Sequence, residues 1–463
     1  MMGRQDEPGH LFYRFNLERH VPLDHLLRHI DAVLDLTEIR RSLAPYYAAT
    51  GRPSIDPELM IRMLLVGYAF AIRSERRLCE EVHLNLAYRW FCRLGLEGAV
   101  PDHSTFSKNR HGRFRDSDLF RRLFEHVVRQ CMQAGLVGGE GFAIDASVIE
   151  ADASNHRKVD GRPTTWPDDE EATRPVREYL DALDAAEAAQ AAPPADDDMP
   201  PGNPPAQPKF TSLTDPAATW TNKGQMKVTF AYGCNYLIDL RAAAIIIDVQ
   251  ATAARWSAEV AITKTMLART ETCFGLKPQR ITADAAYGSG LMIGWLMRRE
   301  ITPHIPIIDH EHQTSSTFTR ADFTFDAERN VFVCPGGKLL KSSGLIRDDG
   351  TVPYWASTKD CGGCALRPNC TTGTKRIVTR HLFEAEREQV RALMGTEAFR
   401  QSAQERKKVE MLFAHLKTHL GLRRLRLRGP SGASDEFLLA ATVQNLKKLI
   451  RFAAHGPPRA APA

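Results

Sequence analysis

No apolar stretch among the 463 residues approaches the roughly 18 that a membrane-crossing helix needs. Absent too is the apolar core of a secretory leader, because Met1 to Asn16 is mixed and charged. A strong charge of one sign is missing as well. Lys and Arg number 61 against 56 Asp and Glu, a net +5, so a polyanionic partner has to be argued from where the charges sit. An even set of cysteines is also lacking. Nine cysteines in a large chain with no export signal suit a reducing compartment, with thiols used as ligands or small core residues. The expectation is a cytoplasmic protein with no membrane association.

What is present fits an ordinary globular protein. An apolar fraction of 43% and a charged fraction of 25% suffice for two or three domains with real cores. Several acids crowd 168–198, which leaves the remainder more basic than the total suggests.

Residues 1–135 read as helical. Leu23 to Ile30 and Asp31 to Leu43 carry apolar residues at three- and four-residue spacing. Asp56-Pro57-Glu58 opens a further helix with a cap, a proline and an acid in the first turn. Another is expected from about Glu75 to Phe91, and Asp102 caps the next. Arg73, Arg76, Arg77, Arg89, Arg93, Lys108, Arg110, Arg113 and Arg115 run through these segments. They suit either a DNA-binding bundle or an ordinary solvated face.

From about 139 the period changes to that of strands. Gly141-Phe142-Ala143-Ile144 is an apolar strand expected to end at Asp145, and Arg280 to Ala283 is another ending at Asp284. Between them, 156–209 is rich in Pro, Ala and Asp and reads as a disordered insertion with a short helix near Val176 to Gln190. Strands are expected at 227–239 and 243–252, then a helix at about 258–272. Residues 310–375 form a small irregular module holding four cysteines. A long helix from the cap Thr396 to His419, a basic stretch, and a last helix from Asp435 to Phe452 close the chain.

Two aspartates at strand ends of an α/β sheet project into one crevice. On the long helix, Val409, Phe413, Leu416 and Leu420 fall on one stripe, and Arg406, Glu410 and Lys417 lie along its edge within about 40°. Glu410 is thereby placed to lean towards Asp145 and Asp284. Three converging carboxylates suit hard divalent cations, and a pair of such ions suits in-line phosphoryl displacement. Arg406 and Lys417 would steady phosphate charge. Any one of these acids by itself is more ordinarily a cap, a turn residue or a solvated edge.

Cys334, Cys361, Cys364 and Cys370 give C-x26-C-x2-C-x5-C, a spacing that suits tetrahedral zinc, resembles the iron–sulfur staple of some nucleases, or leaves four unbound thiols. Cys79, Cys92, Cys131, Cys234 and Cys273 have no ligand spacing. Arg423, Arg424, Arg426 and Arg428 alternate with leucines after the long helix, a positive ridge suited to DNA phosphates.

These residues resemble bacterial insertion-sequence transposases of the DDE superfamily. Ile144-Asp145-Ala146-Ser147 is similar to that family's first-aspartate strand, and Ala283-Asp284-Ala285-Ala286-Tyr287-Gly288-Ser289 to its second-aspartate block. Arg406, Glu410 and Lys417, at offsets of four and seven, match the signature around the catalytic glutamate; Ala403 stands where many relatives have tyrosine. Ser54-Ile55-Asp56-Pro57, Asp102-His103-Ser104-Thr105, Leu213-Thr214-Asp215-Pro216 and Asn445-Leu446-Lys447-Lys448 resemble further family segments.

The resemblance implies an α/β, RNase H-like catalytic domain (136–309 and 376–455), an all-helical N-terminal domain (1–135) and a small cysteine-containing insertion (310–375). It also implies Mg2+ or Mn2+ at Asp145, Asp284 and Glu410, cleavage at element ends, and attack of the freed 3′-hydroxyl on target DNA. Partners would be the double-stranded terminal inverted repeats, the target DNA and at least a second copy of the chain, on the nucleoid. The rival readings are an RNase H-like nuclease that does not join, a non-catalytic DNA-binding derivative, and a redox or zinc protein centred on the cysteines.

Overall fold

The computed structural model describes residues 15–48, 50–51, 54–163, 165–166, 171–191, 207–222, 227–307 and 318–455. Its chain divides into two units, one of 1–136, 414–426 and 435–463, the other of 137–413 and 427–434.

The first unit is helical, and its centre is the helix Pro57–Ala69. Asp56 caps it by accepting from the Glu58 N–H, and Pro57 occupies the first turn, where no N–H is needed. Met60, Met63, Leu65 and Val66 are fully enclosed in the core. Arg62, on this buried helix, is satisfied by Asp31 at 2.6 Å, Glu58 at 2.8 Å and the Phe91 carbonyl at 3.1 Å. The stretch expected to be one helix from Glu75 to Phe91 is two, Glu75–Leu84 and Leu86–Phe91, because Asn85 leaves the helical conformation and its side chain caps the second. Asp102 caps His103–His111 as expected. The last helix runs Gly429–His455, six residues earlier than Asp435, since Gly429 and Pro430 form its first turn rather than a break. Residues 435–455 of it pack with the helical unit, where Lys447 Nζ donates to the Ala69 carbonyl at 3.0 Å, rather than with the catalytic segment.

In the second unit, strands β1 (Gly141–Glu150), β2 (Lys158–Asp160), β3 (Phe210–Ser212), β4 (Thr219–Thr221), β5 (Thr229–Asp239), β6 (Ile246–Ala253), β7 (Arg280–Thr282) and β8 (Thr302–His304) follow one another. β5 pairs antiparallel with β1, β4 and β6, whereas β7 runs parallel to both β1 and β8. The mixed sheet is therefore antiparallel on one side of β1 and parallel on the other. β5 is buried along its whole length, as a central strand covered on both faces must be.

Two expectations change here. β1 does not stop at Asp145 but runs on to Glu150, held by β5, so Asp145 lies mid-strand. Its pairing with β7 covers only residues 141–143, and the β7-side edge of β1 is open from Ile144 onward. The stretch 156–209 is partly ordered: β2 pairs with β3, and a helix spans Arg174–Ala191. Asp196 to Asp198 and Pro200-Pro201 lie outside the described residues.

The cysteine module is a five-stranded antiparallel sheet, β9 (Thr324–Asp326), β10 (Val331–Val333), β11 (Leu339–Lys341), β12 (Thr351–Trp355) and β13 (Ile377–His381), not an irregular loop. Its core is small, with Phe323, Phe332, Leu340, Tyr354, Ala356 and Val378, and Cys334, Cys361 and Cys370 packed at the margin. Among the described residues, no helix is long and apolar enough to cross a membrane.

Candidate active site

The helix Glu397–Thr418 carries Glu410, and four contacts fix its height on the sheet. Thr396 caps its start by accepting from the Phe399 N–H at 3.3 Å. Ser402 meets His304 of β8 at 2.6 Å, Glu405 pairs with Arg280 of β7 at 2.9 Å, and Lys408 reaches the Leu240 carbonyl at 2.6 Å. Phe413 stacks on Tyr236 with ring centroids 4.7 Å apart. Tyr236 sits directly opposite Asp145 in the β1–β5 ladder. Glu410, about one helical turn before Phe413, is thereby delivered to the Asp145 side of the sheet. The stripe expected on this helix is real, since Val409, Phe413, Leu416 and Leu420 are all buried.

Arg406 links two of the three acids. One guanidinium nitrogen lies 3.5 Å from Asp145 Oδ2 and another 3.0 Å from Glu410 Oε1. The other oxygen of Asp145 accepts from the Ala146 N–H at 2.8 Å. Asp284 follows β7 and caps the short turn Ala285–Tyr287, its Oδ1 accepting from the Ala286 N–H at 2.9 Å. Burial, with Asp284 and Glu410 nearby, pushes the Asp145 carboxyl up to about 6, against the pull of the Ala146 N–H and Arg406. A buried acid raised by its setting and by acidic neighbours is a common mark of a working site. As placed, no three His, Cys, Asp or Glu among the described residues stand at the spacing that holds a metal ion. The acids are gathered but not drawn tight.

The other candidate residues divide. Lys417 belongs to the helical unit, where its carbonyl accepts from Arg423 Nε at 3.3 Å. Arg428, in the second unit, is engaged by Asp152, its Nε 2.7 Å from the carbonyl and 3.1 Å from Oδ2, so it is a structural clamp there. In the helical unit, Arg89 and Arg110 are buried, and Arg89 is spent on the carbonyls of Leu96 and Gly98. Arg93 is held by Asp31 at 2.9 Å. Arg76, Arg77, Lys108 and Arg115 remain exposed.

All four module cysteines line one cavity of about 30 Å3, together with Lys338, Arg367 and Arg376. The Lys338 N–H points at Cys334 Sγ at 3.3 Å, and no disulfide forms.

One buried acid had no signal beyond its family segment. Asp215 accepts from Tyr232 Oη at 2.6 Å and from the Gly429 N–H at 3.1 Å. Burial pushes its carboxyl up to about 6.

Residues 15–112 match the family model of a transposase domain (DUF772), and residues 333–450 match that of a transposase DDE domain. Both models are of transposase domains, and together they support an insertion-sequence DDE transposase. The second match contains Arg406, Glu410 and all four cysteines, whereas Asp145 and Asp284 lie outside both matches of the transposase. No solved structure matches the transposase chain.

Proposed function

We propose that this transposase hydrolyses the phosphodiester at the ends of an insertion sequence and then joins the freed 3′-hydroxyls to target DNA. Asp145, Asp284 and Glu410 form the site. The observation that carries this reading is the Arg406 bridge between Asp145 and Glu410 beside Asp284, because the three residues come from distant parts of the chain.

The donor set fits divalent magnesium or manganese. It offers only carboxylate oxygens, and the Asp145 carboxyl is destabilised as an anion by burial and by its acidic neighbours, a strain that a hard cation relieves. Such ions would activate the attacking oxygen and stabilise the leaving one. The residues themselves position and screen. Asp145 and Asp284 each keep one oxygen tied to a backbone N–H, which leaves the other oxygen to turn and ligate. Arg406 neutralises part of the acid charge and then meets the phosphate. In the first step a water oxygen adds to phosphorus and the 3′ oxygen departs as a hydroxyl. In the second, that hydroxyl adds to a target phosphorus and displaces the target 3′ oxygen.

The sheet supports the RNase H-like reading, with antiparallel strands on one side of β1, parallel strands on the other, and the acids on β1, after β7 and on a covering helix. Arg423, Arg424 and Arg426, with Lys417, are the proposed DNA contacts. The cysteine module takes zinc as a structural ion, supported by four thiols around one small cavity and a core too small to stand alone. Two copies of the chain act together, as two element ends require, in the cytoplasm on the nucleoid.

A strand-cleavage and strand-transfer assay on terminal-repeat DNA tests the proposal. Cleavage without joining of pre-cut 3′ ends would make the protein a nuclease. Absence of both in the presence of Mg2+ or Mn2+ would leave a DNA-binding derivative.

A further inference from the structure

Tyr287 ends the turn that Asp284 caps, and it is 2% exposed. Its hydroxyl makes no hydrogen bond, which is rare for a buried polar group. The charges that bear on it are those of Asp145, Glu259 and Asp284, and with burial they hold the phenol protonated at every working pH. It therefore always has a proton to donate, and the charged groups that bear on it are carboxylates, which accept. Glu259, itself buried, lies in the first turn of the helix Trp256–Phe274, with Oε1 above Gly233.

The turn cannot swing to find a partner. On one side the Trp256 indole N–H donates to the Ala286 carbonyl. On the other, Gly288 is pressed so closely on Pro306 that a Cβ there would lie 2.3 Å from the Pro306 carbonyl oxygen. The hydroxyl is held still and an acceptor has to come to it. The movable groups are the acid side chains, whose second oxygens are not fixed by backbone.

We propose that Tyr287 is a positioning residue of the acid site, donating to a carboxylate oxygen of Asp145 or Asp284 once a divalent ion draws the two acids inward. This inference rests on the acid-site reading above. A donor to a ligating carboxylate fixes the ligand's orientation, and removing such a partner typically weakens ion binding about tenfold or more.

The test uses the full chain with Y287F and, in parallel, D145N. Mn2+ is titrated while ion affinity is read by calorimetry and the unfolding temperature is recorded with and without the ion. In the bare protein, Y287F should unfold at the wild-type temperature or above it, because the hydroxyl makes no bond there. Its Mn2+ affinity should fall about tenfold. Bare Y287F unfolding below wild type would show that the hydroxyl is already bonded, and Mn2+ affinity within twofold of wild type would show that it does not touch the ligands; either overturns the proposal. If D145N weakens Mn2+ binding and Y287F does not, Tyr287 alone is excluded. If neither does, the acid site itself is wrong.

Discussion

Arg406 stands 3.5 Å from Asp145, a residue it meets only because the Glu397–Thr418 helix is stacked by Phe413 onto the β5 neighbour of that aspartate. The contact makes the site's charge balance explicit: one guanidinium among three acids. Replacing Asp145, Asp284 or Glu410 with its amide (D145N, D284N, E410Q) should lower strand cleavage about 1000-fold or more, the loss of several kcal/mol of transition-state stabilisation. DNA affinity, read by gel shift, should stay within about threefold. Full cleavage in any one variant would remove that residue from the site.

Asp215 offers a pH test away from the ligands. Its folded-state carboxyl titrates at about 6, above the ordinary 3.8, so between those values the folded chain keeps a proton that the unfolded chain releases. Its contribution to stability is complete below about pH 4 and is lost as pH rises through 6. Without divalent ions Asp145 acts in the same direction. D215N, which keeps the acceptor for Tyr232, should therefore remove about half of the fall in denaturation free energy across this window. An unchanged profile would show that Asp215 is ionised in the folded protein.

The cysteine module should carry about one zinc per chain after purification in metal-clean buffer, as judged by elemental analysis. C361S should then release it and lower the unfolding temperature, since a core of only six residues would depend on such an ion. Substituted cobalt should show the intense visible bands of thiolate ligation. Metal-free wild type of undiminished stability would argue for four idle thiols.

Neutralising Arg423, Arg424 or Arg426 to alanine should weaken DNA binding at every sequence and reduce the log–log salt slope by about one each. R428A should behave differently. Its guanidinium already holds Asp152, so the loss should appear as lowered stability with the salt slope unchanged.

Gly288→Ala tests how tightly the second-aspartate turn is held. The new methyl would meet backbone, not a flexible side chain, so a cost of about 1–3 kcal/mol is expected in chemical denaturation. A neutral effect would mean that the turn yields easily, and with it the case for a fixed Tyr287.

Much of the proposed site is legible in the sequence because each acid sits in a recognisable local pattern: an apolar strand before Asp145, another before Asp284, and a helical stripe beside Glu410. The strand end at Asp145 was misjudged because pairing with β5, a tertiary effect, carries β1 on through Ala146 and Ser147. The cysteine module reads as irregular because all five of its strands have only three to five residues, too short for a period to show, as in Val331–Val333. Gly429-Pro430 reads as a breaker in sequence, yet it is a helix start once Asp215 accepts the Gly429 N–H. The open hydroxyl of Tyr287 is invisible in principle, since an unmade bond leaves no mark in composition.

The cysteine sheet lies between Asp284 and Glu410 in the chain, so the third acid leaves the ribosome well after the first two. A nascent or truncated product that ends within the sheet has a pair of aspartates and no partner helix to cover them. Such fragments should be unable to nick the gene that encodes them, and DNA breakage by this protein should await nearly complete synthesis.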